Sequence, residues 1–385
     1  MKKLIVFILF IFSLFSCVDE YWPKVLPKYE NALVVDGMLT NQSGPYEIRL
    51  SLSSNVNDPS LRLFGGCEVS ILDTNNFEEI FTEISRGVYV SSKNGIQGEI
   101  GNSYKLIIKT PGGKTYESEY ETLVRPTEIE DISSELEFMP HPDFDRNITG
   151  FRFFVSSETA VSKENYFLWK LKSTYKFNAN YRIRFLWDGR LHNFENSDSL
   201  YTCYLHQNVH EIFLFNTSEL SIPKVVKYPL HFVDTETKAL SIRYSLLVNQ
   251  LSLSKRAYDY WQNIKSLYDE QGDLHSRLPF QIKGNIRNIN NEEEPVLGYF
   301  MVAGISEKRI FMNRPVGVNW YYADSCNLYP LDMEILYSKI GSWPLFLPGV
   351  GAGAGISPAW VDYQWCLDCT QLGGKLEVPE FWEEK

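Results

Sequence analysis

The chain is short of the features that announce an enzyme. It has no G-x-S-x-G nucleophile elbow and no H-E-x-x-H zinc helix, and its six histidines show no clear Ser, His, Asp order. The glycine run at 349–355 lacks the Lys-Ser/Thr pair a P-loop needs and does not stand between a strand and a helix start. It reads as a surface loop open to a partner. Basic residues are in deficit: 37 Lys and Arg against 48 Asp and Glu give a formal charge of -11. That balance excludes nucleic acid and anionic membrane surfaces as favoured partners, because both carry the same sign. With so many carboxylates, pairs of the glycosidase kind are available by composition alone, and none is singled out. The apolar run at residues 4–15 is twelve residues long with Ser13 inside it, whereas a membrane-spanning helix takes about 20.

What that short run does predict is export. Lys2 and Lys3 precede it, and the small residue Ser16 stands just before Cys17, so residues 1–16 read as a cleavable signal peptide. Leu14-Phe15-Ser16-Cys17 resembles the lipobox of bacterial lipoproteins, with Phe15 bulkier than the usual residue. In such proteins the cysteine thiol is acylated and becomes the new N-terminus. Each buried methylene of a lipid chain contributes about 0.8 kcal/mol, so two or three chains on Cys17 hold a protein durably to a membrane. Asp19 and Glu20 look like the signal that Bacteroidota use to send lipoproteins to the outer face of the outer membrane. Residues 17–30, polar and carrying Pro23 and Pro27, read as the lipidated tether.

Aromatic residues make up 15% of the chain and are interleaved with β-branched ones, a composition that suits half-buried pleated surfaces. The fold class expected is all-β. From residue 31 to 125 about seven short strands follow from period-two alternation: Leu33, Val35 and Leu39 share a face, Tyr46, Ile48, Leu50 and Leu52 alternate with polar neighbours, and Cys67, Val69 and Ile71 do the same. This predicts an immunoglobulin-like or transthyretin-like sandwich with Cys67 as a buried free thiol. Arg125-Pro126 is the expected boundary, and residues 126–385 form a larger, mostly-β domain. Its strands are expected near 150–156, 166–176, 181–187, 211–215, 240–250, 280–286, 296–302 and 309–313. One amphipathic helix is expected over about 254–271: Ser252 or Ser254 caps it, Ala257, Tyr260, Trp261, Ile264, Leu267 and Tyr268 recur at helical spacing, and Gly272 stops it.

A series of short motifs then carries a likeness. Ile242-Arg243-Tyr244-Ser245, Asn249-Gln250, Ala257-Tyr258-Asp259-Tyr260-Trp261, Gly284-Asn285-Ile286, Pro295-Val296-Leu297-Gly298-Tyr299-Phe300, Cys366-Leu367-Asp368-Cys369, Gly373-Gly374 and Pro379-Glu380-Phe381-Trp382 occur in order. The set is similar to a Bacteroidota lipoprotein family known as domain of unknown function 4249. The resemblance implies an outer-membrane lipoprotein, often beside TonB-dependent transporters, and supplies no catalytic residue. It also implies that Cys203, Cys326, Cys366 and Cys369 are the disulfide cysteines. Two bonds are expected, with Cys326 joined to Cys366 or Cys369 so that the C-terminal tail is tied down.

Two other sets of residues invite a metal. Cys203, His206 and His210 form a C-x2-H-x3-H cluster with three zinc-ligand types close in sequence. His141, Asp143 and Asp145 follow Pro140 and offer a cation site, or simply a polar turn. Cys366-x-x-Cys369 has no βαβ context and no second CxxC, so a redox or zinc role lacks its setting. Asp198-Ser199-Leu200 resembles the short O-glycosylation sequon of Bacteroidota and marks an exposed loop. The function expected is a non-catalytic, surface-exposed lipoprotein, with no cofactor, that captures a small ligand such as a peptide or glycan or docks on a TonB-dependent transporter. A zinc- or carboxylate-dependent surface hydrolase and a structural spacer or adhesin are the alternatives.

Overall fold

The computed structural model describes residues 31–54, 60–159, 162–269, 282–320, 325–351 and 355–384. The expectations for Cys17, for the rest of residues 1–30, for Gly272 and for the middle of the glycine run lie outside these residues. The described chain is mostly β. Its first strands are β1 (Leu33–Thr40), β2 (Glu47–Leu52), β3 (Arg62–Leu63), β4 (Glu68–Asp73), β5 (Glu78–Ser85), β6 (Val88–Val90), β7 (Ser103–Lys109), β8 (Thr115–Ser118) and β9 (Glu121–Thr122). Then come β10 (Ile129–Pro140), β11 (Asn147–Ser157), β12 (Tyr166–Asn178), β13 (Phe185–Trp187), β14 (Leu191–Asn193), β15 (Thr202–Asn216), β16 (Tyr228–Asp234) and β17 (Arg243–Leu253). Helix α1 (Lys255–Asp269) precedes β18 (Ile286–Asn288) and the long β19 (Val296–Asn313). The C-terminal stretch holds β20 (Tyr329–Pro330), α2 (Met333–Ser338), β21 (Leu345–Leu347), β22 (Gly349–Val350) and β23 (Ser357–Trp360).

One 14-stranded sheet organises the molecule, in the order β15-β12-β17-β19-β1-β2-β6-β5-β4-β7-β8-β18, with β3 and β9 as side branches. Its N-terminal half closes on itself: Leu33, Ile48, Val69, Tyr89, Leu106 and Tyr116, from six different strands, share one core. That core also takes Ile286, Val296, Phe300 and Val302, so residues 31–125 do not complete the sandwich by themselves. The joint is the parallel pairing of β1 with β19, Leu33 opposite Val296 through Thr40 opposite Ala303. Gly298 is needed there, because its φ is +91° and an added Cβ would lie 1.9 Å from the Val35 carbonyl oxygen. Asn285 clamps the same place, donating to Phe300 O at 2.8 Å and accepting from Phe300 N at 3.0 Å.

The expected boundary at Arg125-Pro126 is packed, not loose. A Cβ on Gly304 of β19 would meet Val124 O at 2.2 Å, and Thr127 O accepts from both Gln250 Nε2 and Ser306 Oγ at 2.6 and 2.9 Å. Gln250 is buried and its oxygen accepts from Trp169 Nε1 at 2.9 Å, so a core amide is fully used. One sheet holds strands from both sides of that expected boundary.

In the other half, β15-β12-β17-β19 carry a core on each face. Phe167, Trp169, Leu171, Leu246 and Val248 point to one side and pack on the three-stranded sheet β10-β11-β16 through Ile132, Phe153, Val155 and Val233. Leu168, Leu251, Met301 and Ile305 point to the other side, where Ala257 and Tyr258 of α1 land. Period-two alternation therefore fills two cores from one set of strands. Strands expected at 296–302 and 309–313 are a single 18-residue strand. The strand expected at 280–286 is instead Ile286–Asn288, with 280 and 281 outside the described residues. Ser254 is the cap, accepting from Ala257 N at 3.1 Å. The helix stripe is narrower than its spacing suggests, with Tyr258 buried and Tyr268 exposed, because only the first turns reach the sheet.

Candidate functional site

The proposed zinc set is dispersed by the fold. Cys203 is buried and bonded to Cys369, whereas His206, three residues along the same strand, faces the opposite side of β15 and accepts or donates at Nδ1 with Thr174 Oγ1 at 2.9 Å. A spacing of three puts side chains on opposite faces of a strand, so C-x2-H serves a metal in a loop and not here. His210 is exposed further along. The second disulfide joins Cys326 to Cys366, so Cys366 and Cys369 are bonded to different partners and form no vicinal redox pair. Near Pro140, His141 Nδ1 accepts from Asp143 N at 3.0 Å and its Nε2 lies 3.5 Å from Glu236, which Arg146 also engages. Among the described residues no three His, Cys, Asp or Glu converge as a metal site. Cys67 is free and packs against the N-terminal core as the alternation suggests, but it is only half-buried, and burial pushes its thiol pKa up. Ser199 sits half-buried in a turn, and Asp198 pairs with Arg182 at 2.5 Å.

What the same strands do assemble is an open cationic face. On the helix side of the sheet, α1 covers one end and the C-terminal segment 379–384 covers the other. Trp382 packs edge-on against Tyr204 and Phe311, with ring centroids 5.0 and 5.5 Å away, and Lys176 pairs with Glu384 at 2.6 Å. Between these covers the register sets Lys170 beside Asn249 and Asn249 beside Glu307. The next row runs Asn208, Lys172, Leu247, Arg309. Lys170 Nζ lies 5.7 Å from the Trp261 ring on α1, and the Arg309 guanidinium lies 3.5 Å from the Phe381 ring on the tail. Two aromatic walls thus flank a polar floor.

The cations of that floor are not neutralised by pairing. Elsewhere Lys105, Lys109, Arg152, Lys224 and Lys227 each sit 2.5–2.8 Å from a carboxylate. Lys170 and Lys172 have no ion pair among the described residues, and Arg309 donates only to Ser245 Oγ, at 3.0 Å. Loss of water around the Lys170 ammonium lowers its pKa, which Asp36 partly restores and Lys172 lowers further. Desolvation also lowers Arg309, with Glu307 pulling back, and His206 falls below its ordinary value through desolvation and the charges of Lys375 and Arg309. Desolvation is the largest cause in each case, and neighbouring positive charge adds to it only at Lys170 and His206.

A second surface feature is the β10–β11 hairpin, which overhangs the core. Ile132 and Phe153 near its base are buried, but Leu136, Phe138 and Phe144 toward its tip are 47%, 59% and 62% exposed. Beside it opens a cavity of about 560 Å³ lined by Leu136, Phe154, Phe213 and Leu230. Arg152 at its mouth is fully occupied, by Glu137 at 2.8 and 3.2 Å, by Leu230 O at 3.1 Å and by the Phe232 ring.

A family model described as Domain of unknown function (DUF4249) matches residues 18–309. The chain belongs to that family. No curated protein matches it. The DUF4249 match ends at Arg309 inside β19 and so takes in Lys170, Lys172 and α1, while Cys326, Cys366, Cys369 and Phe381 lie beyond it. Of the motifs read in the sequence, Gly284-Asn285-Ile286 and Gly298 hold the β1–β19 joint, Gly374 packs against Cys203, and Asn249, Trp261 and Phe381 border the cationic face. Sequence reasoning passed over Lys170, Lys172 and Arg309. The signal for the lysines was their alternation with Trp169 and Leu171; Arg309 comes from a strand far along the chain.

Proposed function

We propose that this DUF4249 protein is a lipid-anchored protein of the outer-membrane surface, acylated at Cys17. It binds a ligand on its open face and serves as a non-catalytic partner of a TonB-dependent transporter. The observation that carries the binding part is the unpaired set Lys170, Lys172 and Arg309 held open between Trp261 and Phe381. A chain of charge -11 keeps those cations without partners where a negative ligand supplies the missing charge. The apolar hairpin tip supports docking, since a cluster of Leu136, Phe138 and Phe144 in water is the kind of patch that marks a protein–protein contact. Among the described residues no helix is long and apolar enough to cross a membrane. The anchor in this reading is the lipid.

The test is affinity recovery of the tagged, full-length protein from detergent-solubilised outer membranes. A transporter should come with it, and Phe138→Glu with Phe144→Glu should reduce that recovery several-fold. Recovery of the lipoprotein alone at native abundance contradicts the proposal.

A further inference from the structure

Given that reading of the open face as a ligand site, the geometry points to its ligand class: we propose an acidic oligosaccharide, a chain of sugar rings bearing carboxylates. The floor alternates charge with neutral donors, Lys170 beside Asn249 and Lys172 beside Asn208. Two residues along a strand are about 7 Å apart and two strands across about 10 Å, so Lys170, Lys172 and Arg309 present positive charge over a span of several sugar rings. A lone ion would meet only one of them. Arg309 suits a carboxylate because its planar fork can engage both oxygens, and only one of its nitrogens is committed, to Ser245. Trp261 and Phe381 at the two margins offer apolar surface for ring faces.

The backbone decides against a peptide. Peptides that bind sheets gain their affinity from main-chain bonds at an unpaired edge. Here β12, β17 and β19 are each paired on both sides, so the strands that carry the cations offer a ligand only side chains. Amides, ammonium groups and a guanidinium recognise hydroxyls and carboxylates directly. The acids facing the floor, Asp36 and Glu307, oppose an anion, and Lys375 near His206 favours it.

Calorimetric titration of the detergent-solubilised mature protein tests this, with oligogalacturonate as probe, a neutral oligosaccharide of equal length, and oligoglutamate of equal charge. Oligogalacturonate should bind, weaken at least tenfold in Lys172→Gln with Arg309→Gln, and weaken with added salt. The neutral oligomer should not bind measurably. Because Arg309 also holds Phe381, Lys172→Glu alone is the control that leaves the tail in place, and it too should weaken binding. Absence of oligogalacturonate binding, equal affinity in the variants, or oligoglutamate bound as tightly would overturn the inference. None of these outcomes touches recovery of the transporter, which tests the broader reading separately.

Discussion

Cys203 sits without solvent exposure in β15, and its bond to Cys369 closes a separation of 166 residues. Such a crosslink restricts the unfolded chain, and its loss from a domain costs about 2–5 kcal/mol. Cys203→Ser should therefore lower the thermal midpoint markedly while leaving metal content unchanged. Stoichiometric zinc that disappears in this variant contradicts the assignment. His206 makes a pH prediction. Its folded pKa lies below 6.5, so the unfolded chain takes the proton first as pH falls. Its contribution is complete above about 6.5 and is lost as the pH falls from there through the lower folded value. His206→Gln should flatten the loss of stability between neutral and mildly acid pH in denaturant unfolding; an unchanged slope argues that the ring is hydrated. At this scale the sequence was a poor guide to the site. Lys170 and Lys172 look like any solvated lysines, because charge on alternate residues is what a strand with one wet face shows. Only the register reveals that Arg309 joins them on one face.

Helix α1 begins on a shared polar knot. Ser254 Oγ caps Ala257 N and also donates to Glu121 Oε2 at 2.8 Å, and Tyr299 donates to the other Glu121 oxygen at 2.5 Å. Glu121 is 1% exposed, so a carboxylate of the N-terminal sandwich fixes where the helix starts. Removing a serine cap costs about 0.5–2 kcal/mol. Ser254→Ala should fall at the upper end, because it also takes a donor from a buried carboxylate; a loss under about 0.5 kcal/mol in urea unfolding contradicts the coupling. The helix was readable from its apolar spacing and its cap was narrowed to Ser252 or Ser254, whereas its seat was not readable. Strands with clean alternation, such as β2, β7 and β12, were readable in the same way. In β19 the Glu307-Lys308-Arg309 triplet interrupts the apolar pattern and splits one strand into two on paper. The strand changes surroundings at Gly304, from a face in the N-terminal core to one with open solvent beyond the helix.

The whole molecule is held together by pairings between residues far apart in sequence. Because β18 and β19 complete the first sandwich, residues 31–125 made alone lack Ile286, Val296, Phe300 and Val302 from their core. Such a fragment should show no cooperative thermal transition and poorly dispersed NMR signals; a sharply folded spectrum contradicts this account of the joint. That dependence was hidden from the sequence, since a parallel neighbour is set by the path of the chain and not by local alternation. The proposed location lies at the other extreme, since it rests on residues 1–20 and on no strand. The proposed role requires that the open face and the hairpin be presented from a membrane by a lipid. Mass spectrometry of the mature protein taken from its native membrane tests this most directly. The account predicts a chain that begins at Cys17 and carries the mass of its acyl groups, and an unmodified N-terminus or retention of residues 1–16 would contradict it.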